Sequence, residues 1–191
     1  MNRLVLASVA ALATTSVFGA PVTYVLDSHH TYPSFEADHM GGLSIWRGKF
    51  SDTSGKVVYD KEAKSWSIDI TVNMQSINFG MEKMDEHAKS AEILDVEKYP
   101  TATYTGKFSK FNGATPTEAQ GTFTLHGVTK PLTLTINSFM CKPHPMTKKE
   151  VCGADASASF NRSDFGVNYG DAHGFKMGVK LQIQVEGSPP G

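Results

Sequence analysis

The chain has 191 residues, 40% apolar and 19% charged, with 18 basic against 19 acidic side chains. That suffices for one domain with a sizeable core, and 10% aromatic content at a net charge of −1 excludes a disordered chain. The even balance also argues against a nucleic-acid binder, and beyond the N-terminus no apolar run reaches the length of a membrane span.

Residues 1–19 read as a secretory signal peptide: Arg3, then an apolar stretch from Leu4 to Val17, then small residues that place cleavage after Gly19. This predicts a periplasmic or secreted protein, a domain over 20–187 and a loose tail over 188–191. Phe35, Ala37 and His39 alternate with polar neighbours. Thr53-Ser54-Gly55 reads as a break after Phe50. Trp66, Ile68, Ile70, Val72 and Met74 share one face of a half-buried antiparallel strand. Glu82–Val96 loses the alternation and reads as one or two short helices, ended by Pro100.

Alternation returns in Tyr104, Gly106 and Phe108, with a turn at Asn112-Gly113. Phe123 and Leu125 lead to His126-Gly127-Val128-Thr129-Lys130-Pro131, which joins them as a hairpin to Leu132, Leu134 and Ile136. Cys141 and Cys152 bracket a polar, proline-rich loop, which in an exported chain predicts a disulfide. Ala154–Phe160 alternates again, as do Val179, Leu181, Ile183 and Val185. About eight strands, each with one apolar face, predict an all-β antiparallel barrel with a short helical insertion. Such a barrel either fills its interior or holds one small ligand, and the alternation is common to both.

Sites of chemistry are sparse. His29 and His30 point oppositely on a strand, so with Asp27 and His39 they make a poor metal set, and no metal is expected. No Gly-x-Ser-x-Gly is present, and Asp85 and His87 lie two apart on the predicted helix, so no catalytic residue is assigned. Arg162, in Asn161-Arg162-Ser163-Asp164-Phe165-Gly166, either meets a head group at a pocket rim or fixes a strand end by a structural pair. Met40, Met74, Met81, Met84 and Met177 fit either an adaptable ligand surface or an ordinary core.

These segments, in this order, resemble the YceI-like family of secreted bacterial lipid-binding proteins. The resemblance runs from Tyr24 to Glu186. It is carried by Tyr24-Val25-Leu26-Asp27, Phe35–His39, Arg47-Gly48-Lys49-Phe50, Asp85-Glu86-His87, Lys98–Tyr104, Leu125–Pro131 and Arg162–Gly166. The chain departs from it at Ala88, where the family pattern has leucine, and the Cys141–Cys152 loop belongs to a subset of the family. The resemblance implies a lipocalin-like eight-stranded barrel around an apolar channel. It also implies a bound isoprenoid lipid, such as a polyprenyl phosphate or an isoprenoid quinone, in place of any cofactor. It implies no catalytic residues, an amphiphilic lipid as partner, transient membrane contact and a homodimer.

On this reading Phe35, Trp46, Phe50, Ile68, Ile70, Val72, Phe79, Tyr104, Phe108, Phe123, Leu125, Leu132, Leu134, Phe160 and Phe165 line the channel. His39, Asp85 and Arg162 contact the head group. The rival readings are a filled structural or adhesive barrel, and an enzyme acting on a prenyl or acyl lipid.

Overall fold

The computed structural model describes residues 20–60 and 65–190. The predicted signal peptide and the last residue of the tail lie outside them. Eleven strands and one helix follow in order. They are β1 (Val22–Leu26), β2 (Tyr32–His39), β3 (Ser44–Phe50), β4 (Thr53–Asp60), β5 (Ser65–Asn73), β6 (Ile77–Asn78), α1 (Glu82–Lys89), β7 (Thr101–Asn112), β8 (Thr115–Leu125), β9 (Val128–Pro143), β10 (Glu150–Asn161) and β11 (Gly178–Ser188).

The eleven strands make eight staves of one barrel. β1 and β2 both pair with β11, β2 pairs with β3 and β1 with β4, and β3 pairs with β6 while β4 pairs with β5. Each of these three couples is one stave with a break in it. β7 to β11 supply the other five, every neighbouring pair is antiparallel, and the β1–β11 pairing closes the ring. The fold is therefore an eight-stranded antiparallel barrel with one short helix, as expected.

The breaks have local causes. Between β1 and β2, the Asp27 carboxylate accepts the His29 N–H at 2.9 Å and meets His30 Nδ1 at 2.7 Å, turning the chain. Between β5 and β6, Asn73 Oδ1 accepts the Gln75 N–H at 3.0 Å and starts a 3₁₀ turn over Met74–Ser76. Beside it, the β3–β4 break at Ser51 and Asp52 bonds across to Ser76, with Ser51 N donating to Ser76 O at 3.2 Å and Asp52 N to Ser76 Oγ at 3.1 Å. The break thus lies two residues before the predicted Thr53-Ser54-Gly55, and those three residues open β4. Gly55 is there for close approach: a Cβ on it would stand 2.2 Å from Asp69 O.

Three further expectations change in extent. The helix stops at Lys89 instead of running toward Val96. Ser90 Oγ turns back to donate to His87 O at 2.7 Å, and Asp95 takes a positive φ of 44°. Leu94 and Val96 still reach the core, but from turns. The hairpin after Leu125 has a two-residue loop, since Leu125 is opposite Val128. His126 (φ 51°) and Gly127 (φ 75°) form it, with the doubly positive φ that a tight hairpin needs. β11 runs through Ser188, one residue past the predicted domain edge. The disulfide forms as predicted: Cys141 and Cys152 are direct partners in the β9–β10 ladder, with Cα atoms 4.0 Å apart.

The β9–β10 ladder does not run the full length of its strands. It ends at Ser157 opposite Thr135, although β10 continues to Asn161 and β9 begins at Val128. Over the unpaired stretch β9 bonds only to β8 and β10 only to β11. Pro131, which has no N–H to give a ladder, sits in this stretch.

Candidate functional site

Alternation decides what fills the barrel. Ile68, Ile70, Tyr104, Phe108, Ala119, Phe123, Leu132, Leu134, Ile136, Ala156, Phe160, Leu181 and Ile183 all belong to one cluster. Each lies an even number of residues from its neighbours in the same strand, so the polar positions between them face out. Met74, Val96, Ala102, Leu125 and Phe165 form a second cluster, with Phe50 and Val72 against it. Twelve of the fifteen predicted lining residues therefore fall in the two interior clusters.

The other three, Phe35, Trp46 and Phe79, lie beside them. Phe35 packs on Phe50 and Phe79 with ring centroids 5.7 and 5.4 Å away, and Trp46 meets Phe79 at 6.1 Å. Phe35, Trp46 and Phe79 thus form an aromatic wall where β2, β3 and the approach to α1 meet. Phe79 itself enters this wall from a loop and is held there by a helix residue, Asp85.

The interior is graded along its length. At the end that carries the disulfide hairpin, Trp66 is surrounded by Tyr24, Tyr59, Phe108 and Phe139. Tyr24 closes that end by donating to Glu150 Oε1 at 2.6 Å, and burial with this bond raises its phenol to a pKa of about 12. At the opposite end Phe123, Phe160 and Phe165 meet pairwise at 5.3 Å. Between them the lining is aliphatic or small, apart from Tyr104. Tyr104 crosses Gly106 and Gly121, where a Cβ on Gly121 would be 2.9 Å from its ring. Its hydroxyl donates to Leu132 O at 3.3 Å, and burial raises it to about 12.

The middle is not solidly packed. Ile70, Leu134, Leu181 and Ile183 face inward yet are only half-buried. A side chain facing the centre of a closed barrel keeps accessible surface only where space remains beside it, since a filled core is packed to crystal density. These four apolar side chains therefore keep accessible surface on the inner side of the barrel.

The predicted head-group residues have separate settings. His39 stacks on Trp46 at 4.2 Å and meets the edge of Phe175 at 5.6 Å, at the end of β2. Asp85 is committed to structure: its Oδ1 accepts the Phe79 N–H at 2.6 Å. Arg162 makes no ion pair with a carboxylate among the described residues. Its guanidinium donates to Val167 O at 3.0 Å and Tyr169 O at 2.7 Å, which folds the loop after β10. Burial lowers its pKa, opposed by the nearby charges of Asp171 and Asp38.

His29 and His30 are exposed. The hydrogen bond between Asp27 and His30 holds the carboxyl below and the imidazole above their ordinary values. Among the described residues no group of three His, Cys, Asp or Glu side chains could hold a metal ion.

Sequence reasoning missed part of the lining. Trp66, Leu181 and Ile183 carried the right alternation and could have been included. Tyr169 and Phe175, outside the two clusters and packed on His87 and His39, come from the β10–β11 connection, which has no period to reveal a facing. Tyr169 meets the edge of His87 at 4.9 Å and so ties that connection to α1.

A closed up-and-down barrel with an apolar, incompletely filled interior defines the class. The YceI-like domain model matches residues 24–187, and the chain belongs to that family. Proteins called Protein YceI from Salmonella arizonae and Salmonella enteritidis are 30% identical over 183 residues, covering 94% of this chain and 94% of theirs. The fold is similar to that of Burkholderia cenocepacia BcnA (TM-score 0.64, 18% identity, 84% of this chain and 98% of that one). It is also similar to a polyisoprenoid-binding domain from Saccharophagus degradans (TM-score 0.63, 12% identity, 88% and 99%).

Proposed function

We propose that this protein is a periplasmic carrier of an amphiphilic isoprenoid lipid, a polyprenyl phosphate or an isoprenoid quinone, with the tail held inside the barrel. One observation carries the reading: inward-facing Ile70, Leu134, Leu181 and Ile183 retain accessible surface inside a closed ring of strands. The name of the Saccharophagus neighbour, a polyisoprenoid-binding domain, supports the ligand class.

Energetics suit a carrier. Full burial of a prenyl tail of about forty carbons is worth roughly 30 kcal/mol gross at about 0.8 kcal/mol per carbon. That exceeds the roughly 20 kcal/mol ceiling on net affinity, so partial burial suffices for tight retention against water. Against a membrane, which offers the same apolar contacts, transfer is near balance. The interior groups favour binding over turnover: the Tyr104 hydroxyl is occupied by Leu132 O and its high pKa keeps it protonated.

The test is native mass spectrometry of the exported, gently purified protein, followed by organic extraction. A stoichiometric adduct with a prenyl quinone or prenyl phosphate mass is expected, unchanged on incubation. An adduct that changes mass over time would replace the carrier with an enzyme. A chain that carries no adduct and takes up no added isoprenoid would be a filled barrel.

A further inference from the structure

Where the β9–β10 ladder stops, the barrel wall is split. A depression of about 910 Å³ lies there, lined by Lys130 and Leu132 of β9, Phe160 of β10, Phe165 beyond it, and Lys176 and Lys180 toward and on β11. Its floor is apolar and belongs to the interior: Leu132 and Phe160 are in one core cluster and Phe165, 2% exposed, is in the other. Phe165 packs inside on both Phe123 and Phe160 at 5.3 Å, as a wedge standing where β9 and β10 part.

The rim is polar, and its charges are unequally engaged. Glu36 is bonded to Arg47 at 2.8 Å. Asp38 Oδ2 accepts from Gly41 N at 2.8 Å and Lys176 N at 3.0 Å. Lys130, Lys176 and Lys180 have no side-chain ion pair among the described residues, and Asp164 is the remaining carboxylate of the rim. The facing edges of β9 and β10 add main-chain polar groups that no neighbouring strand uses.

We propose that this split is a lateral head-group site, taking the anionic phosphate group of an amphiphile whose tail passes Phe160 and Phe165 into the barrel. This rests on the carrier reading and adds to it a position and a charge for the head group. Three ammonium groups over an apolar floor match an anion joined to a hydrocarbon, and a size of about 910 Å³ is that of a small-ligand pocket.

The experiment measures binding of a prenyl diphosphate, the prenyl alcohol with the same tail, and inorganic diphosphate. The proteins are the mature chain, the triple variant Lys130→Gln/Lys176→Gln/Lys180→Gln, and a control triple variant Lys56→Gln/Lys107→Gln/Lys142→Gln. All six lysines are exposed, so folding is retained in both. The expected result is a loss of about tenfold for the prenyl diphosphate in the first variant alone, three exposed charge contacts combined. The alcohol should bind all three proteins alike, and inorganic diphosphate should bind weakly to each. Undiminished prenyl diphosphate binding in the first variant, or an equal loss in the control, overturns the site while leaving the carrier reading intact. Inorganic diphosphate binding as tightly as the prenyl compound makes this a free-anion site and overturns it too. Failure of the unaltered chain to bind either prenyl compound rejects the carrier reading and the site together.

Discussion

Replacing Cys141 and Cys152 together by alanine removes a covalent link from the end of a hairpin that is otherwise held. Beyond the disulfide the ladder continues through Lys142 opposite Val151 and Pro143 opposite Glu150, and Glu150 accepts the Tyr24 hydroxyl at 2.6 Å. The folded hairpin should therefore survive, and the effect should act through the unfolded chain. The cysteines are 11 residues apart, and freeing a loop of that size costs about 3 kcal/mol in the chain-entropy model. For a domain of this length that corresponds to a fall in Tm of about 6–12 °C. The assay is thermal unfolding of lipid-free protein, with the double variant, the unaltered chain, and the unaltered chain under a strong reductant run side by side. The reduced chain should fall on the variant's curve, and lipid uptake well below the transition should match in all three. A fall of less than about 2 °C would show that the link does not constrain the unfolded chain as argued. Loss of uptake in a folded variant would show that the hairpin end shapes the binding space.

Other perturbations separate the remaining parts of the argument. Ile70→Arg and Leu134→Arg should each abolish lipid binding and lower stability by about 3–5 kcal/mol through an unpaired buried charge, and normal binding by both folded variants would reject the inward facing assigned to β5 and β9. Thr53→Val should raise stability by about 1 kcal/mol in denaturant titration, because the buried Thr53 hydroxyl has no hydrogen-bond partner, and a destabilised variant would mean the hydroxyl is satisfied. The Tyr24 phenol ionises near 10 when unfolded and near 12 when folded, so its contribution is intact below pH 10 and is lost as pH rises toward 12. Tyr24→Phe should flatten part of that alkaline decline, and an unchanged slope in the variant would remove Tyr24 from it.

Long alternating runs were legible because a strand with one wet face writes its facing into every second residue. Trp66–Val72 and Leu132–Ile136 are of this kind, and both lie where expected; Met74, read as the end of the first run, opens the 3₁₀ turn instead. Ends were harder, because they depend on single hydrogen bonds between distant residues. The break after Phe50 is placed by Ser76, not by the Thr53-Ser54-Gly55 turn signal. The helix ends where the Ser90 side chain turns back on it. Candidate polar contacts were least legible. Asp85 and Arg162 carry charge at informative positions, yet their nearest partners are backbone groups of Phe79, Val167 and Tyr169, which no local pattern announces. The split between β9 and β10 left one mark in the sequence, a proline within a strand.

The seam of the barrel joins its two chain ends. β1 meets β11 through Val25 opposite Ser188 and Leu26 opposite Gly187, so closure waits for the last strand to be made. Contacts of such high sequence separation form late and slowly. Until they do, the sheet β4-β5-β7-β8-β9-β10 can assemble from successive, mostly local hairpins, with two open borders and a bare apolar concave side. Amphiphiles present at that stage would meet an open trough rather than a closed vessel. On the carrier reading, loading of the growing chain is therefore kinetically distinct from loading of the finished protein, and refolding in the presence of lipid is the preparation in which the two routes part.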